Sequence, residues 1–102
     1  MARKSTPANE KALDIDDQIV EEIIGRLRRV EGQVHAIARM ISERRDCYAI
    51  AHQMSAARSA LERAAVQLMA TSMAQCLRPN PEGKGVDERE LQRLTEAFVK
   101  LF

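Results

Sequence analysis

The 102-residue chain has no tryptophan, one tyrosine and two phenylalanines, which argues against an aromatic sandwich core, a base-stacking platform or a sugar-stacking face. It has no apolar run near the roughly 18–20 residues that cross a bilayer, and its opening stretch MARKSTPANEKALDIDD lacks the apolar segment of a signal peptide. A cytoplasmic protein without a membrane partner is therefore expected. Cysteine is scarce: two thiols in that compartment point to redox, metal or packing roles more than to a structural disulfide. Charge of one sign is also lacking. Lys+Arg number 16 and Asp+Glu 15, a net charge of +1, so the whole-chain charge gives no support for a nucleic-acid partner. Strand signals and internal repeats are absent. The apolar 45% is mostly Ala, Leu, Ile, Val and Met, the composition of a helical bundle. The length allows one small domain, for which oligomerisation is a natural supplement to burial.

Residues 1–16 are polar, contain Pro7 and show no sustained period, so they read as a flexible arm, with residues 17–102 as the helical domain. From Val20 the pattern changes. Val20, Ile23, Leu27, Val30, Val34, Ile37 and Ile41 recur at spacings of three and four, a heptad stripe on one helix face, with Asp16 or Asp17 as its cap. Gly25 and Gly32 interrupt an otherwise good helix, and a glycine there often marks a close approach by another group. The polar residues 42–46 end the stripe. A second helix is predicted from about Asp46 to Leu77, free of Pro and Gly, with Cys47, Ile50, Met54, Ala57, Leu61, Ala64 and Leu68 on its heptad face. At about 1.5 Å per residue it spans roughly 45 Å, too long for one small protomer to cover alone. The run RPNPEGKG at 78–85 breaks the chain, and Asp87 with Glu90 resembles a capping box for a short third helix striped by Leu91, Leu94, Phe98 and Leu101.

Cys47 and Cys76 lie 29 residues apart on the second helix. At about 100° per residue they share nearly one azimuth, yet they are roughly 43 Å apart along the axis, so one chain cannot join them. If two copies of the helix pack antiparallel about a twofold axis near Leu61 and Glu62, Cys47 of one falls opposite Cys76 of the other. That register also sets Ile50 against Met73, Met54 against Met69 and Ala57 against Val66. For an arbitrary helical protein, both cysteines would more often be small core residues. Their positions at helix ends weigh against that, and Cys47 beside an N-cap sits where unpaired N–H groups and the helix dipole favour a thiolate. Two such thiols suit a soft ion or a sulfur bridge.

The arginines are unevenly placed. Arg26, Arg28, Arg29, Arg39, Arg44 and Arg45 crowd the first helix and its end, Arg58, Arg63 and Arg78 follow, and the acidic surplus lies in the arm and third helix. Such asymmetry can give a nearly neutral protein a basic face. Taken alone, Arg26, Arg29 and Arg63 would more often be solvated charges or partners of Glu22 and Glu62. No helix-turn-helix or zinc-finger spacing is present, so DNA would have to meet a bundle surface. His35 and His52 read as surface or packing residues, and His52 is poorly placed to share a site with Cys47. Met54, Met69 and Met73 read as seam packing, though Met73 stands one turn before Cys76. No acid–base pair or cofactor motif appears, so no enzyme is expected; an inert helical scaffold is an alternative.

The run RLRRVEGQVHAIARMI at 26–41, the cysteine opening the next helix and QMSAARSALERAAVQL at 53–68 closely resemble the copper-sensing operon repressor (CsoR/RcnR/FrmR) family of bacterial transcriptional regulators. The similarity covers about residues 20–101. It implies an all-α protein, three helices per chain, forming an antiparallel four-helix-bundle homodimer that assembles to a homotetramer. It also implies repression by binding double-stranded operator DNA and release on sensing. Arg26 and Arg63 match family positions implicated in operator contact, and Arg29 lies within the same RxxRxEGQ stretch.

The family's copper sensors use a cysteine, a histidine and a second cysteine. Cys47 and Cys76 match the cysteines, but the histidine position is Ser72, and a neutral hydroxyl is a poor Cu(I), Ni(II) or Co(II) ligand. The arm lacks the histidine of the nickel and cobalt sensors, and Cys76 sets the chain apart from the formaldehyde-responsive members. The pattern is closest to the persulfide-sensing branch. In that branch a reactive sulfur species modifies one thiolate, and the other attacks to form a di-, tri- or tetrasulfide bridge between subunits. The expectation is thus a persulfide-sensing repressor without cofactor, its sensing thiols Cys47 and Cys76 and its DNA contacts Arg26, Arg29 and Arg63. The alternative is a Cu(I)-responsive repressor that binds its metal through Cys47 and Cys76.

Overall fold

The computed structural model of the chain describes residues 12–77, apart from the side chains at 76 and 77, and residues 88–101. Three helices account for the regular structure and no strand occurs among the described residues: α1 (Asp17–Ser42), α2 (Cys47–Leu77) and α3 (Glu88–Val99). The first two form an antiparallel hairpin, and α3 packs on α2.

Local chemistry sets the helix ends. Asp16 caps α1, its Oδ1 accepting from the Gln18 N–H at 2.8 Å and its carbonyl from the Val20 N–H at 3.0 Å. Asp46 repeats the device for α2, accepting from the Ala49 N–H through Oδ2 at 3.3 Å and from the Ile50 N–H through its carbonyl at 3.1 Å. Cys47 is therefore the first residue of α2, as its sequence position predicts. The expected capping box at Asp87 and the break at 78–85 lie outside the described residues, as does most of the arm; residues 12–16 precede α1 without helix.

The reversal between α1 and α2 is a Schellman turn. The Arg45 N–H donates to the Met40 carbonyl at 2.9 Å and the Arg44 N–H to the Ile41 carbonyl at 3.0 Å. Arg44 occupies the left-handed position, at φ 54°, that glycine normally fills. Replacing it with glycine removes the Cβ clash, so Arg44→Gly is expected to stabilise the fold by about 0.5–1 kcal/mol, read as a rise of a few degrees in Tm.

Packing divides the predicted stripes in two. On α1, Ile23, Val30 and Ile37 are buried, whereas Leu27, Val34 and Ile41 stay 42–54% exposed. On α2, Ala57 and Ala64 are buried, whereas Met54 and Leu61 are about half-exposed. One residue of each stripe per heptad thus closes the hairpin and the next faces outward. The small Ala57 and Ala64 let the branched side chains of α1 approach α2 closely. Ala57 is accordingly consumed within the protomer, so the expected Ala57 to Val66 contact between chains has little surface to draw on. Gly25 and Gly32 have nothing within 4 Å of where a Cβ would stand, so neither glycine serves a close approach within the chain.

Candidate functional site

The two sides of the α1·α2 hairpin differ in chemistry. On one, Leu27, Val34 and Ile41 of α1 run alongside Cys47, Met54 and Leu61 of α2, because an antiparallel hairpin brings residues equally distant from its turn abreast. All six are exposed. Completing the burial of each large one is worth roughly 1 kcal/mol, so this apolar edge is costly to leave in water. Cys47 stands at its end, an exposed free thiol at the helix amino terminus.

Cys76 belongs to α2 by backbone, and its side chain lies outside the described residues. Because α2 (Cys47–Leu77) is one helix, the separation of about 43 Å expected from sequence applies, and one chain does not bring the two thiols together. Ser72, on nearly the azimuth of Cys47 and Met54, is buried, the one buried polar residue among those described. His35 and His52 are both exposed, and no group of three or more His, Cys, Asp or Glu side chains converges among the described residues.

On the opposite side, Arg26, Arg29 and Gln33 of α1 meet Ser59 and Arg63 of α2 around a groove of about 390 Å³ floored by Ala56 and Ala60. Arg26, Ser59 and Arg63 also line an adjoining hollow with Glu62, Val66, Gln67 and Ala70, so the two share a rim and together make a trough that carries one carboxylate beside its arginines. The three arginines singled out from sequence thus share one concave surface, and three guanidinium groups there would attract phosphate oxygens. Gln33 Oε1 is buried at this groove without a hydrogen-bond partner.

Two partners differ from those that sequence suggests. Glu62 pairs with Arg58, one turn earlier at 3.4 Å, not with Arg63. Arg26 donates through Nε to Gln67 Oε1 at 2.9 Å, and Gln67 donates through Nε2 to Glu22 Oε2 at 3.0 Å, so Gln67 of α2 stands between Glu22 and Arg26 of α1. Sequence reasoning missed Gln67, Gln33 and Ser59. Gln33 stands out only as the last residue of the RxxRxEGQ stretch and nothing in a linear sequence marks the other two, because their roles depend on which face of α1 meets α2.

A family model described as metal-sensitive transcriptional repressor matches residues 20–100. The copper-sensing transcriptional repressor RicR of Mycobacterium tuberculosis is 40% identical over 77 residues, covering 74% of this chain and 80% of the relative. The copper-sensing transcriptional repressor CsoR of Bacillus subtilis is 31% identical over 80 residues, covering 78% of each. No solved structure matches the chain significantly.

Proposed function

The chain belongs to the metal-sensitive transcriptional repressor family, and from that premise we propose that it is an operator-binding repressor released when Cu(I) is held between Cys47 of one protomer and Cys76 of its partner. Family membership makes the protein a regulator of transcription, and among the described residues no helix is long and apolar enough to cross a membrane. The observation that carries the inducer reading is the exposed Cys47 at the first position of α2, on an apolar edge that is half-exposed in the single chain. Pairing those edges antiparallel would bury them and supply the second thiol, so each site takes one cysteine from each subunit. Two thiolates suit a soft monovalent ion, and both named relatives are copper-sensing repressors. Bound there, Cu(I) would supply a soft bridge between subunits; the chain's part is to present the two thiols. Release follows if the bridged dimer is a conformation with lower operator affinity.

On the other side of the hairpin, the trough of Arg26, Arg29 and Arg63 is the proposed DNA face. DNA from upstream of the gene that encodes the chain, labelled with a fluorophore, should be bound by the ligand-free protein and released on adding about one Cu(I) per chain under reducing, anaerobic conditions. Release by a persulfide donor alone, with chains crosslinked through added sulfur in the mass spectrum, would replace Cu(I) with reactive sulfur species as inducer. That second reading is favoured by one residue: Ser72 leaves the site two thiols and no imidazole.

A further inference from the structure

Glu22 and Arg26 lie one turn apart on the exposed surface of α1. A glutamate four residues before an arginine ordinarily pairs with it directly, neutralising the guanidinium on the helix surface. Here the pair is interrupted. Gln67, reaching across from α2, accepts from Arg26 Nε at 2.9 Å and donates to Glu22 Oε2 at 3.0 Å, so its amide uses one end on each partner. The orientation is self-consistent: reversing the amide would set NH₂ against guanidinium and oxygen against carboxylate. The bond at Nε leaves the two terminal nitrogens of Arg26, its bidentate end, out of the relay. Arg26 lines both halves of the trough, and Gln67 lines the part that continues past Arg63.

We infer that Gln67 is a positioning residue for DNA binding: it holds Arg26 away from Glu22 and aims its free end at a backbone phosphate in the trough. The inference rests on the reading of Arg26 as a DNA contact. Without the Gln67 amide, Glu22 captures Arg26 and competes with the phosphate. Glu22 then acts as the rival that Gln67 occupies, which a purely structural glutamine would not produce.

The test uses the full chain, the labelled upstream DNA and a salt titration. Gln67→Met, of similar shape and unable to bond either partner, is expected to weaken binding by about five- to tenfold and to lower the salt slope by about one, the signature of one lost phosphate contact. Gln67→Ala, which favours helix, should do the same if the methionine variant folds poorly. Adding Glu22→Gln to either variant should restore most of the loss, beyond the gain that Glu22→Gln gives in the parent. In an Arg26→Ala background the Gln67 substitutions should cost nothing further. Parent-like binding by both Gln67 variants, with Arg26→Ala weakened, overturns this inference and leaves the DNA face intact. A loss that Glu22→Gln does not relieve also overturns it. Parent-like binding by Arg26→Ala and Arg63→Ala overturns the DNA face itself.

Discussion

Cys47→Ser is expected to leave operator binding within about twofold of the parent and to abolish release by Cu(I) at stoichiometric metal. The thiol is exposed at the first position of α2, whose start is secured by Asp46, so the substitution disturbs neither core nor cap. What it removes is one of two soft ligands, replaced by a hard hydroxyl. Loss of a hydrogen-bond partner behind a metal ligand already costs about 10–100-fold in affinity, and loss of the ligand itself should cost more. Competition against a Cu(I) chelator reads the affinity, and fluorescence anisotropy of labelled operator reads the release. Cys76→Ser should behave alike. Mixing the two inactive variants gives a sharper result. A heterodimer of them carries one site with both cysteines and one with neither, so Cu(I) binding should return at half the parental stoichiometry per heterodimer, about one quarter across an equal mixture whose subunits exchange at random. No recovery on mixing would refute a site shared between subunits.

Leu61→Glu should have the broadest effect. Leu61 is half-exposed in the single chain, so a charge there costs the protomer little and the helical circular dichroism should persist. In the proposed antiparallel pairing of α2, however, the twofold axis passes close to this position and sets the two glutamates near each other. Each chain then forfeits roughly 1 kcal/mol of apolar burial and places an unpaired carboxylate in the seam at a cost of several kcal/mol. The dimer Kd should rise at least about a hundredfold, read by sedimentation, and DNA binding and Cu(I) release should fall together. A Leu61→Glu protein that sediments like the parent would show that this edge is not the subunit contact. Glu62 sits beside the same axis, but its pairing with Arg58 keeps its charge occupied within one helix.

Much of this architecture was legible because its determinants are local. Asp16 and Asp46 cap the helices that follow them, and the polar residues at 42–46 mark the reversal. The apolar period identified which face of α1 and α2 is sheltered from water. It did not reveal how that face is shared. Ile23 and Leu27 are equivalent in a heptad reading, yet one is buried against the chain's own helix and the other is exposed. Periodicity gives an azimuth to within a few tens of degrees, and the division between inner and outer contacts turns on that same margin. The placement of Cys47 followed from the cap beside it. The grouping of Arg26, Arg29 and Arg63 was an expectation carried by family resemblance, and the groove they line depends on the register between helices. Gln67 illustrates what lay beyond reach: a neutral residue in an alanine-rich helix, informative only once its two partners are seen.

The inducer subclass turns on one position of α2. Ser72 argued against an imidazole-assisted metal site, while the named relatives are copper sensors.

The hairpin's two sides have a consequence for how such a regulator diversifies. The sulfur-bearing edge and the arginine trough lie on opposite sides of a layer one helix thick, and among the described residues no side-chain hydrogen bond connects a residue of one to a residue of the other. On the proposed reading, substitutions that retune the inducer, at position 72 for instance, can accumulate without altering the arginines of the trough. On the same reading, the DNA side can change while the sulfur edge stays fixed. Duplicated copies of a chain built this way are free to inherit a promoter and change their signal, or to keep the signal and acquire a new promoter.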